Sequence, residues 1–302
     1  MACPEGAMVE ALMLWNEPNN LAHWDFITDP DWRIFADMIR SSSGAIRAEN
    51  NTLPVVLGGI SPIDPDFLAN MRFKGVLECV DVVGVHGFPF DWNHWTIQEW
   101  PQRVRQAQDA AGLPVWATEV GVSTFGADEL QDLGIRLTAR YLSGKVDRLH
   151  WYSLFDLPRS WSATSHDPAA EGSEYLRHFH MGLVREDGVV KPAMKSFADL
   201  TPGIGICQWF HPDDHRLEKA VKLMRSLGVK YLRTGLSWAD SLKSGGYEWF
   251  DRQMRALDEF HICLTLCYTP ESRGINPHHS SPPRDVNEFA EFCARVTKRY
   301  CT

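Results

Sequence analysis

The chain has 302 residues, 44% of them hydrophobic, and a formal net charge of −9. A length near the roughly 250 residues of one α/β barrel does not force two domains, and the scattered basic residues exclude a nucleic-acid partner or an anionic membrane surface. No apolar run approaches the roughly 20 residues that span a bilayer, which excludes a membrane-spanning helix. The opening MACPEGAMVEALML lacks a basic stretch before its apolar run, so no signal peptide and a cytoplasmic location are expected.

Short apolar or β-branched runs alternate with amphipathic helical patterns, the signature of a parallel sheet wrapped by helices. In chain order the sequence predicts a strand over 9–15, a helix over 31–48, a strand over 55–60 and a helix over 66–77. A strand over 80–85 leads through an aromatic loop to a helix over 97–111. A strand over 115–119 precedes a helix over 128–142. A strand over 148–155 is followed by a long polar loop and a short helix over 192–199, with proline at its tolerated first turn. Three further units follow: strand 204–210 with helix 213–227, strand 229–236 with helix 249–260, and strand 262–268 with helix 286–300. Leu217, Ala220, Val221, Met224 and Leu227 form the apolar stripe expected of a helix lying on a sheet. Five units and three make eight, the number that closes a (β/α)₈ barrel, and residues 1–302 are read as one such domain.

The seven cysteines fall mostly in apolar runs, as Cys79, Cys207, Cys263, Cys267 and Cys293 do, and read as small core residues in a reducing compartment. Cys263 and Cys267 lack a paired ligand pattern, so no metal site is expected there. The twelve tryptophans are numerous. Either they fill a bulky core or, just past strand ends, they offer flat faces for sugar stacking.

In a (β/α)₈ barrel the chemistry lies at the C-terminal ends of the strands. Glu17 in LWNEPNN and Glu119 in PVWATEVG each stand where an apolar run emerges. A carboxylate there is desolvated enough to shift its pKa and open enough to meet a substrate. Two such groups across a barrel mouth fit glycoside hydrolysis, in whose retaining form one protonates the leaving oxygen and the other attacks the anomeric carbon.

These motifs resemble those of the clan A glycoside hydrolases, with family 39, which contains β-xylosidases, nearest through WNEPN and GLVREDGVVKPAMKSF. The resemblance implies a retaining hydrolase with Glu17 as acid/base and Glu119 as nucleophile; spacing alone assigns neither role. It also implies that Asn16 bonds the sugar 2-hydroxyl, that Arg233 in YLRTGLSW supports the nucleophile, that His86 in VGVHGFPF lines the cleft, and that Trp151 in HWYSLFD floors the subsite of the reacting sugar. The family usually carries a tyrosine two residues after that histidine, and this chain has Phe88. Trp92, Trp95 and Trp161 fall in loops expected at the mouth, where each either lines a further subsite or packs beneath a loop. No cofactor is expected, and the expected partner is a carbohydrate. An endo-acting glycanase of the same clan and a non-catalytic sugar-binding barrel are the competing readings.

In the clan the acid/base strand is the fourth and the nucleophile strand the seventh. Here the order along the chain reads four to eight over residues 1–200, then one to three over 201–302, a circular permutation (4-5-6-7-8-1-2-3). Cut and splice both fall at the face opposite the chemistry, where such rearrangement is tolerated. That geometry brings Cys3 and Cys301 into one region, where a disulfide or two reduced thiols are the alternatives.

Overall fold

The computed structural model describes residues 8–125, 127–159, 176–212 and 215–302. Eight parallel strands close into a barrel in chain order: β1 Met8–Leu14, β2 Val55–Ile60, β3 Val82–Gly87, β4 Val115–Val120, β5 Leu149–Tyr152, β6 Gly205–Cys207, β7 Tyr231–Ser237 and β8 His261–Cys267. The helices that follow them are α1 Arg33–Glu49, α2 Pro65–Phe73, α3 Trp100–Ala111, α4 Asp128–Leu142, α5 Ala193–Leu200, α6 Leu217–Ser226, α7 Gly246–Ala256 and α8 Val286–Tyr300. This is the expected α/β (β/α)₈ architecture. β1 pairs with β8 of the same chain from Met8↔His261 to Leu14↔Leu266, so closure needs no strand from another molecule. Among the described residues no helix is long and apolar enough to cross a membrane.

The strands read as apolar runs because both of their faces are buried. Alternate residues point outward onto the helices, as Leu12, Leu14, Leu57, Val83 and Val85 do. The intervening ones, Ala11, Met13, Val56, Val82, Trp116 and Cys263, fill the barrel as a separate apolar cluster. Local signals set the helix ends. Asp64 caps α2 by accepting from the Asp66 and Phe67 amides with Pro65 in the first turn, and Asp285 caps α8 through the Asn287 amide. α1 packs along α8, and the Asn50 side chain at the end of α1 donates to the Cys301 carbonyl at 2.7 Å. The start of β1 and the end of α8 therefore share the face away from the strand C-termini. Cys3 lies outside the described residues, as do Trp161 and the first two residues of the helix expected over 213–227.

Several expected elements are shorter, each for a local reason. α2 stops at Phe73 because the chain turns through Gly75 at φ 71°, and a separate 3₁₀ turn, Leu77–Cys79, follows. β5 leaves the ladder after Tyr152 because residues 153–154 bond the returning segment 181–184 instead: Ser153 donates to the Met181 carbonyl, and Leu183 and Val184 donate to those of Ser153 and Leu154. β6 ends at Cys207, and the Gln208 side chain takes up the Phe155 amide. β3 runs two residues beyond expectation, which places His86 within the strand.

Candidate active site

At the C-terminal end of the barrel β1 turns sharply. Trp15 and Glu17 adopt left-handed backbone, at φ 69° and 43°, a conformation that costs a non-glycine side chain free energy and recurs at functional sites. The turn is held by the Trp15 amide on the Leu266 carbonyl, the Trp15 indole on the His23 carbonyl and the Asn20 amide on the Glu17 carbonyl. It aims Asn16 and Glu17 over the barrel mouth.

Glu119 reaches the same place by a bulge. Val85 pairs with Ala117 but His86 pairs with Glu119, so β4 carries one extra residue, Thr118. Thr118 already points into the barrel, against Gly84. Without the bulge Glu119 would point out toward the helices; with it the carboxylate turns inward. Gly59 on β2 makes the third adjustment. A Cβ there would lie 1.8 Å from His86 Nε2, so the glycine leaves the space that the imidazole fills.

The polar groups form one connected cluster. Arg233, almost fully buried on β7, pairs with Glu119 Oε1 through Nη1 and donates from Nη2 to Asn16 Oδ1 at 2.6 Å. The Asn16 carbonyl is thereby taken, which leaves its NH₂ group as a donor at the mouth. His86 Nδ1 lies 2.7 Å from Glu17 Oε1 and 3.7 Å from Glu119 Oε2. Glu17 Oε2 accepts from Asn20 at 3.0 Å and faces His23 Nε2 at 3.4 Å. Burial would raise the Glu17 pKa, but the bond from His86, the neighbouring His23 and the Asn20 bond prevail and hold it at about 2. Against an ionised Glu17, His86 carries its proton on Nδ1; its Nε2 is buried without a partner. Burial likewise favours neutral Arg233, and Glu119 overrides it, driving the guanidinium pKa up.

Glu17, His86 and Glu119 offer ligand atoms that all lie within 4.8 Å of one another. A cation between them would have to displace the Glu17–His86 bond and compete with Arg233 for Glu119.

The mouth carries partly exposed rings. Tyr268 follows β8, Trp209 follows β6 with its ring 5.8 Å from Tyr268, and Tyr152 ends β5 at 6.0 Å from Phe88. Trp92 stacks on His178 at 4.5 Å and 17°, and Arg177 anchors that loop to Asp91. Burial raises the pKa of Tyr152 and of Tyr268, with the charges of Glu119 and Glu17 adding to it, which places both phenols in the field of the acids. Beside this wall a fully buried ammonium, Lys191 Nζ, bonds Asp156 at 2.7 Å and Thr124 and the His180 carbonyl at 3.0 Å each.

Of the expected site residues, Glu17, Glu119, Asn16, Arg233 and His86 converge. Three expectations change. Trp151 is wholly buried and packs outward in the core between barrel and helices. On β5 the side chains alternate, so His150 and Tyr152 face the barrel interior and Trp151 faces the helices; Tyr152 stands where Trp151 was expected. Trp95 is enclosed edge-on against Trp100 at 4.9 Å, with Arg103 over its ring, rather than lining the mouth. His86 is fully buried between the two acids and bonds Glu17, rather than facing the cleft. Trp92 lies beside the mouth with His178 on its face. His23, Asn20, Tyr152, Trp209 and Tyr268 went unread, although a histidine six residues and an asparagine three residues past Glu17 were available signals.

No family model matches the sequence and no curated protein matches it. Among solved structures the chain is similar to a lysine decarboxylase from Selenomonas ruminantium, with 11% identity and a TM-score of 0.35, over 76% of this chain and 59% of that one. It is also similar to a hyperthermostable endo-1,4-β-D-mannanase from Thermotoga petrophila RKU-1, with 8% identity and a TM-score of 0.41, over 96% of this chain and 99% of that one. The chain spans about three-fifths of the decarboxylase's length. Likenesses this slight carry no argument about activity.

Proposed function

We propose that the chain is a retaining glycoside hydrolase in which Glu119 is the nucleophile, Glu17 the acid/base and residues 1–302 form one catalytic domain. The observation that carries this reading is the closeness of the acids: one carboxylate oxygen of Glu17 and one of Glu119 lie within 4.8 Å of each other. Retaining enzymes hold their two carboxyl groups roughly 5–5.5 Å apart, whereas inverting ones need about 6.5–9.5 Å to admit a water. Arg233 supports the same roles, since it pairs with Glu119 and fixes Asn16 with its NH₂ toward the sugar. Tyr152, Tyr268 and Trp209 are the platforms for the ring of the substrate.

The circular permutation belongs to the same reading. A closed ring of eight like units has no marked first strand, so the rearrangement rests on the motifs alone. A β-xylosidase-like specificity rests on the WNEPN resemblance alone.

The test is kinetic and stereochemical. Glu17→Ala should retain turnover of aryl glycosides with good leaving groups, which need little protonation, and azide should accelerate that variant by replacing the water that needs a base. Proton NMR should show a first-formed product with the substrate's anomeric configuration. An inverted product would refute the retaining mechanism.

A further inference from the structure

His23 belongs to none of the motifs that pointed to the site. It sits on the loop after β1, with Nε2 3.4 Å from Glu17 Oε2. Its ring stacks on Tyr268 at 6.3 Å and 27°, and its carbonyl accepts the Trp15 indole, so it is fixed from two sides. Its Nδ1 is buried without a hydrogen-bond partner.

Glu17 has neighbours on both oxygens, His86 on one and Asn20 with His23 on the other. Such a carboxylate keeps its charge, yet double displacement requires a proton that leaves and returns. Asn20 and Arg233 have none to give. His86 is fully buried, with its far nitrogen closed off against Gly59. The His23 side chain, at 18% exposure, is the imidazole touching Glu17 that solvent reaches.

We propose, resting on the glycosidase reading, that His23 is the positioning residue of the acid/base: its Nε2 and Glu17 Oε2 hold one exchangeable proton between them. In the first step a Glu119 oxygen bonds the anomeric carbon, the glycosidic C–O bond breaks, and the departing oxygen's electron pair takes the proton from Glu17 Oε2. In the second step a water oxygen bonds that carbon, the bond to Glu119 breaks with its electron pair returning to the carboxylate, and the proton from water returns to the Glu17–His23 pair.

The groups facing His23 set the sign of the pH dependence. Glu17 and Glu119 favour its protonated form; Arg233 and His86 oppose it. His178 and His279 lie within its field, and Tyr268 covers its ring. Burial is the largest influence and lowers its pKa, so the shared proton leaves at a lower pH than from a free imidazole; once it is lost, activity falls on the alkaline side.

With His23→Phe, Glu17 must hold the proton alone against His86 and Asn20. The alkaline limb of kcat/KM should move down by about one pH unit, a roughly tenfold loss at a pH on that limb, for glycosides with poor leaving groups. Aryl glycosides with good leaving groups should keep their glycosylation rate. His23→Gln, which retains a donor but does not ionise, should keep the fold without restoring the limb. A second readout does not need turnover: ¹⁵N NMR of the imidazoles in the full chain should show His23 titrating at least about one unit lower in Glu17→Gln than in the wild type. Identical His23 titration in the two proteins would overturn the proposal, as would a loss in His23→Phe that is uniform across pH and substrates. Failure to cleave any glycoside would instead refute the glycosidase reading, and the NMR comparison would then decide alone whether the pair shares a proton.

Discussion

Among the described residues two arginine–glutamate pairs sit inside this barrel, one at each end, and they behave differently. At the face away from the strand C-termini, Arg148 pairs with Glu10 and lies over the Tyr231 ring at 4.3 Å and the Trp116 ring at 5.6 Å. The guanidinium lies against two aromatic faces and an anion, with the pair still partly exposed. At the mouth, Arg233 pairs with Glu119 and continues through Asn16, while His86 lies between Glu119 and Glu17, which in turn meets His23 and Asn20. The same ion pair is an isolated contact where its remaining neighbours are aromatic rings. Where they are other titratable groups, left-handed backbone and partly exposed aromatics, it is one member of a connected polar cluster.

The sharpest way to break this contrast is to neutralise each end. Glu119→Gln should lower turnover of every glycoside by roughly 10⁴-fold or more, measured as kcat/KM, with a thermal midpoint close to wild type. Next in size is Trp151→Ala. As a core residue it should lose about 3–5 kcal/mol of stability in denaturant unfolding, while the KM of the folded protein stays put; a raised KM with unchanged stability would return Trp151 to the subsite. Arg148→Ala should cost about 1–3 kcal/mol, since the pair is partly exposed and the rings lose their cation, and should leave kcat unchanged. The smallest effect is expected at Tyr152→Phe, which keeps the ring and removes the hydroxyl, with KM rising a few-fold. A Tyr152→Phe enzyme with unaltered kinetics would show that the phenol does not reach the substrate.

The eight units were legible because each strand is an apolar run between turn signals and each helix carries its own stripe; β2, α4 and α8 fall within a residue or less of expectation. The convergence of Glu17 and Glu119 was legible because glutamates in WNEPN and ATEVG interrupt runs that are otherwise buried. What the sequence did not disclose is side-chain parity. The Thr118 bulge, which points Glu119 inward, leaves no mark in VWATEVG. The end of β5 is set by pairing with residues 181–184, remote in sequence, and that pairing bears on whether Trp151 or Tyr152 is read as the inward ring. His23 was missed for a related reason. Its approach to Glu17 depends on a turn through two left-handed residues, a conformation that Trp15 and Glu17 do not favour by themselves.

Double displacement requires Glu119 to form a bond to the sugar. Incubation with an activated 2-deoxy-2-fluoro glycoside, whose intermediate hydrolyses slowly, followed by mass spectrometry of proteolytic peptides, tests this. The prediction is a stoichiometric mass increase of one fluorosugar on the peptide containing Glu119, absent in Glu119→Gln and formed in Glu17→Ala. A label on Glu17 instead, or turnover of the reagent with no labelled peptide and an inverted product, would contradict it.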